Sequence, residues 1–134
     1  MNASYRALIV AAALCAGPLA AHHSFTAEFD GGKTVTLQGT ISKVDWVNPH
    51  IFLYVDVKEE SGKTTTWMLQ SLPPLFFKGS GLTKDALLSN KQPVTVTANP
   101  AKDGTPAYGF MTKLTFADGH VFTLNPQAED RKGR

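Results

Sequence analysis

Cysteine is nearly absent. Cys15 is the only one in 134 residues, which excludes a disulfide framework and any multi-cysteine zinc site. Charge of one sign is equally scarce: 13 Lys and Arg face 11 Asp and Glu, a formal net charge of +2. A surface so balanced lacks the basic footprint of a nucleic-acid binder, and nucleic acid is not expected as a partner. No apolar run reaches the roughly 20 residues that a membrane-spanning helix needs, the longest being residues 7–16. A nucleophile elbow, a phosphate loop and a paired-acid constellation are all missing, so catalysis is not expected. What remains is 43% hydrophobic and 18% charged, the composition and length of one globular domain.

The first 21 residues read as an address. Arg6 is the sole charge before His22; the apolar run follows it, and Gly17-Pro18-Leu19-Ala20-Ala21 supplies breakers and small residues. A basic start, a short apolar stretch and a small-residue end are the parts of a secretory signal. Cleavage is expected after Ala21, because a cut after Ala20 would place Pro18 two residues before the scissile bond. The mature chain would then keep 113 of the 134 residues, begin at His22 and carry no cysteine. No transmembrane segment would survive processing, and the expected location is periplasmic or secreted. At this length a chain buries about two-thirds of its unfolded surface, enough to fold by core packing alone.

Period-two alternation dominates the mature chain. Val35, Leu37, Gly39 and Ile41 share one parity, which switches at Val44 and Trp46; Gly39 is the expected site of the bend that such a switch requires. Ile51, Leu53, Val55 and Val57 alternate in a second strand, and Thr64 to Gln70 returns as a third. Pro73-Pro74 excludes a central strand and is expected to start a helical turn capped by Ser71. Thr83 is expected to cap a short helix, with Leu82 stapled to Leu87. Strands resume at Val94 and Val96; Tyr108, Phe110, Leu114 and Phe116 share one parity after the Asp103-Gly104 turn, and Asp118-Gly119 turns into a last strand. The expected fold is all-β with one short helical insertion, an OB-type antiparallel barrel of five to six strands over residues 22–125, followed by a polar tail at 126–134.

Chemistry concentrates on histidine. Processing would put His22-His23 at the terminus, where an α-amine of pKa about 8 ligates metal more readily than a lysine. That amine and the His22 ring can close a chelate. A third nitrogen from His23 or His50 completes the nitrogen set that suits Cu(II), with zinc a poorer fit. A cut after Ala20 would instead give Ala21-His22-His23, which also chelates Cu(II). The metal site is therefore expected at His22, His23 and His50, while His120 reads as a solvated hairpin residue and Met68 and Met111 as packing residues. Asp45 and Asp56 flank the Asn48-Pro49-His50 turn but carry the pattern of ordinary solvated carboxylates. The alternative is a metal-free binding module in which Phe52, Tyr54 and Trp67 form an aromatic surface on the second and third strands, where OB barrels often bind ligands, near the loop of Lys102 and Asp103-Gly104.

His22-His23-Ser24-Phe25 with Glu28-Phe29-Asp30, Leu37-x-Gly39, and Trp46-x-Asn48-Pro49-His50 resemble a family of small exported bacterial proteins of unknown function. Ala101-Lys102-Asp103-Gly104 and Asp118-Gly119 fit the same pattern, so the resemblance covers roughly residues 22–124. It implies no established activity. It does place the family's two histidine motifs on His22-His23 and His50.

Overall fold

The computed structural model describes residues 25–129. The leader expected at 1–21, the His22-His23 pair and the last five residues of the expected tail lie outside them. In chain order the elements are α1 (Phe25–Glu28), β1 (Val35–Asp45), β2 (Phe52–Lys58), β3 (Thr64–Gln70), a 3₁₀ turn (Pro74–Phe77), α2 (Lys84–Ser89), β4 (Val94–Pro100), β5 (Tyr108–Thr115) and β6 (Val121–Thr123). The strands lie in the order β3-β2-β1-β4-β5-β6, and β3 also pairs with β5. That last pairing is parallel, joining Met68 to Tyr108, Leu69 to Gly109 and Gln70 to Phe110. It closes β1 to β5 into a barrel and leaves β6 outside. The all-β barrel of OB type thus forms as expected, with a parallel seam in an otherwise antiparallel sheet.

The interior follows from strand alternation. Leu53, Val55, Leu69, Val96 and Leu114 are wholly buried, each contributing roughly 1.5–3 kcal/mol by leaving water. In β1, Ile41 and Val44 both point inward although they lie three positions apart, because the pairing with β2 skips from Ile41 to Lys43. The bulge is therefore at Ser42, and not at Gly39 as the parity switch suggested. Gly39 serves a different purpose, since a Cβ there would lie 2.3 Å from the Asp56 carbonyl oxygen. Only glycine permits that approach of β1 to β2.

A second irregularity also departs from expectation. The β4–β5 pairing shifts between Thr97 and Ala98, so that Ala98 meets Met111 and Thr97 meets Lys113. Thr112 is the extra residue. Met111 and Leu114 consequently share the interior, whereas Tyr108 and Phe110 occupy the outer face instead of sharing the parity of Leu114. Phe110 is nonetheless buried, because α1 lays Phe25 and Phe29 over it with ring centroids 5.4 and 5.6 Å away. Nothing in the alternation announced α1. It is held by a bridge from Phe29 to Ala101 and by Lys102 N–H donating to the Glu28 carbonyl at 2.9 Å.

Thr83 caps α2 as expected, its hydroxyl accepting from Ala86 N–H at 3.1 Å, and Leu82 and Leu87 are both buried. Ser71 does not cap the 3₁₀ turn, which begins three residues later behind Pro73 with no side-chain cap. Its N–H donates to the Ile51 carbonyl at 2.8 Å instead. Its hydroxyl is buried with no partner among the described residues. Among the described residues no helix is long and apolar enough to cross a membrane.

The close approach at Gly39 generates a prediction. Gly39→Ala forces β1 and β2 apart and is expected to cost about 1–3 kcal/mol, or at least about 4 °C in thermal midpoint for a domain of this size. Thermal unfolding followed by circular dichroism checks it; an unchanged midpoint contradicts the tight packing at this strand pair.

Candidate functional site

The outer face of the barrel seam gathers five polar side chains from five separate segments. Gln70 ends β3 and Tyr108 begins β5, and the parallel pairing sets these strand ends side by side. The Tyr108 hydroxyl lies 2.9 Å from Gln70 Oε1 and 2.6 Å from Oε1 of Glu28 in α1. Gln70 Nε2 lies 3.3 Å from His50 Nδ1, and His50 Nε2 lies 3.0 Å from Glu129 Oε2. The result is a continuous chain Glu28–Tyr108–Gln70–His50–Glu129. His50 is 23% exposed at its side chain and Glu129 35%, while Gln70 is buried. The Asn48–Pro49 bond immediately before His50 is cis.

Glu129 reaches His50 because the chain turns back after β6. Leu124 N–H donates to the Thr112 carbonyl, and a turn at 125–128 is closed by Ala128 N–H donating to the Asn125 carbonyl. The first part of the segment expected as a polar tail is thus folded against the barrel. One oxygen of Glu129 holds His50; the other, Oε1, is buried without a partner among the described residues. Burial and the Glu28 carboxylate beside it push the Tyr108 hydroxyl well above the usual phenol range, so this group stays a hydrogen-bond donor.

Two clefts flank α1. One of about 460 Å³ is lined by Ala27, Glu28, Ala101, Lys102, Asp103 and Tyr108, which brings the loop of Lys102 and Asp103 beside the polar chain. The other, of about 540 Å³, runs between Phe25 and Thr26 on one side and Asn125, Pro126 and Gln127 on the other. The two ends of the described chain therefore meet across one groove, next to the turn that carries Glu129.

Of the expected metal residues, His50 lies in this chain, and His22 and His23 lie outside the described residues. Among the described residues, no group of three or more His, Cys, Asp or Glu side chains is placed to hold a metal ion. The expected aromatic surface divides. Phe52 and Tyr54 pair with Gln70 and Met68 on the outer face, whereas Trp67 pairs with Val55 and packs against the core. Tyr54 is tied to Asp45 at 3.1 Å, under the Lys43 ammonium. Asp56 accepts from Ser42 and Thr66, so neither aspartate orients His50. His120 is exposed beside Asp118, and Met111 is buried. Gln70, Tyr108 and Glu129 escaped the sequence reading because their partners are 20 to 80 positions distant. Glu28 alone carried a signal, in its motif with Phe29 and Asp30.

The raised Tyr108 value has a sign that can be tested. The unfolded chain loses the phenol proton more readily than the folded one, so stability from this group is complete below the ordinary phenol value of about 10 and declines as the pH rises beyond it. Urea unfolding at increasing alkalinity is expected to show a steeper loss for the wild type than for Tyr108→Phe; parallel losses contradict it.

A comparison with curated proteins gives no match. Among solved structures, the chain is similar to the mitochondrial single-stranded DNA binding protein Rim1 from S. cerevisiae, with a TM-score of 0.41 and 12% identity over 69% of this chain and 97% of that one. A sequence model of the family of unknown function DUF6152 matches residues 9–122, most of the molecule and the whole barrel with its His50 motif. The chain belongs to this family.

Proposed function

We propose that this chain is an exported, non-catalytic β-barrel protein that binds a transition metal, copper in preference to zinc, through His22, His23 and His50. The observation that carries the reading is the groove in which Phe25 and Thr26 face the turn at 125–127, since that turn leads directly to Glu129 and His50. Only Ser24 separates His23 from Phe25 in the chain. The segment that carries the histidine pair therefore enters α1 beside this groove. Signal cleavage after Ala21 adds the terminal amine to this set, and three or four nitrogens suit Cu(II). Both ring nitrogens of His50 have hydrogen-bonding partners that fix its orientation, and a metal would take the place of one of them while the other held the ring. The leader places the protein in the periplasm or outside the cell, where the absence of cysteine from the mature chain carries no penalty.

Titrating Cu(II) into the correctly processed protein tests the proposal. Affinity tighter than micromolar is expected, weakened roughly tenfold or more by His22→Ala and by His50→Ala, and weakened on acidification because ligating imidazoles must be neutral. Affinity no better than micromolar and indifferent to both substitutions would sink it.

A further inference from the structure

We infer, resting on the metal reading above, that Glu129 is a clasp on the proposed site. It occupies His50 in the metal-free protein, and an arriving metal ion displaces it and loosens the C-terminal turn. The two ends of the chain thus exchange at one imidazole. Without metal the C-terminal segment holds His50 through Glu129; with metal the N-terminal histidines hold it through the ion.

Space at the ring forces the displacement. Glu129 Oε2 lies 3.0 Å from His50 Nε2, in the approach that a metal must use to reach this nitrogen. A metal bonds a histidine nitrogen at about 2.0–2.1 Å, which on that line leaves it only about 1 Å from the oxygen. The carboxylate has to move, and any hydrogen held between the two groups passes to solvent. The opposite ring nitrogen is the less accessible one. Its partner Gln70 is buried and fixed at the end of β3, whereas Glu129 is 35% exposed at its side chain and follows the last strand.

The way Glu129 is held favours its departure over its staying as a ligand. Its Oε1 is buried without a partner among the described residues, so the clasped carboxylate forgoes hydration that it regains on leaving. The terminal amine, His22, His23 and His50 already supply a nitrogen set that suits Cu(II). The turn itself has few other ties. Leu124 N–H donates to the Thr112 carbonyl, Ala128 N–H donates to the Asn125 carbonyl, and Ala128 packs against the core. Beyond Ala128, His50 is the one hydrogen-bonding partner among the described residues. Asn125, Pro126 and Gln127 also line the groove faced by Phe25 and Thr26, so the end that leaves and the end that arrives border the same space. A site closed by its own clasp binds more weakly in proportion to the fraction left open. By reciprocity the metal weakens the clasp as much as the clasp weakens the metal.

Hydrogen exchange read by mass spectrometry, paired with a Cu(II) titration of the processed protein, tests the clasp. Saturating copper is expected to speed exchange over residues 125–129; unchanged exchange in the copper-saturated wild type overturns the inference. Glu129→Ala is expected to bind Cu(II) about three- to fivefold more tightly, the scale of a partly exposed ion pair, and to exchange fast over this segment before copper is added. Glu129→Gln, which keeps the shape of the side chain, should tighten binding less. Weaker binding by Glu129→Ala makes the carboxylate a ligand and overturns the clasp. A wild type that binds no copper defeats the metal reading, and the displacement with it. The metal-free variants then decide the contact by itself: equal loosening of residues 125–129 in Glu129→Ala and His50→Ala leaves the clasp standing, and no loosening in either removes it.

Discussion

The parallel pairing of β3 with β5 is the constraint from which the rest of this molecule follows. Three residue pairs, Met68 with Tyr108, Leu69 with Gly109 and Gln70 with Phe110, turn a curled sheet into a barrel. Gly109 is part of the device: a Cβ there would lie 2.7 Å from the Asn99 carbonyl oxygen, so a larger residue would push β5 away from β4. The seam sends Leu69 inward and sets Gln70, Tyr108 and Phe110 on the outer face. That face cannot stay bare, since Phe110 is a large apolar group, and α1 covers it with Phe25 and Phe29. The covering helix brings Glu28 to Tyr108. Closure, the docking of the N-terminal segment and the polar chain leading to His50 are thus one event in packing terms.

How much of this is readable in the sequence depends on the range of the interaction. Alternation and turn dipeptides locate β1 to β6, and Thr83 with Leu82 and Leu87 locates α2, because those signals act within a few residues. The parity switch in β1 is visible, but its position is not. Glycine draws attention to 39, while the pairing with β2 places the bulge at Ser42; the bulge at Thr112 has no compositional mark at all. Aromatic character groups Trp67 with Phe52 and Tyr54. Register decides otherwise, since facing Val55 turns its ring to the core. Of the site, His50 and the histidine pair stand out by residue type. Gln70, Tyr108 and Glu129 do not, because a polar residue at a strand end or in a tail is ordinary until a distant partner meets it.

The barrel brings both ends of the described chain to one face. The N-terminal end arrives through an aromatic contact and the C-terminal end through an acid–histidine contact. Neither end has a role in closing the barrel, yet both are folded onto it. Proteins that only need a stable core have little reason to hold a half-buried histidine between a buried amide and a carboxylate, since partly satisfied polar groups cost stability. In the proposed function that arrangement is kept for the ion it prepares for, with the mature terminus supplying the remaining nitrogens.

The most direct test of metal binding at this face is a crystal structure of the processed protein loaded with copper, with the metal located by its anomalous scattering. One principal site is expected within bonding distance of a His50 ring nitrogen, with His22 and His23 in the same coordination sphere. Copper held elsewhere, with His50 still paired to Glu129, would contradict it.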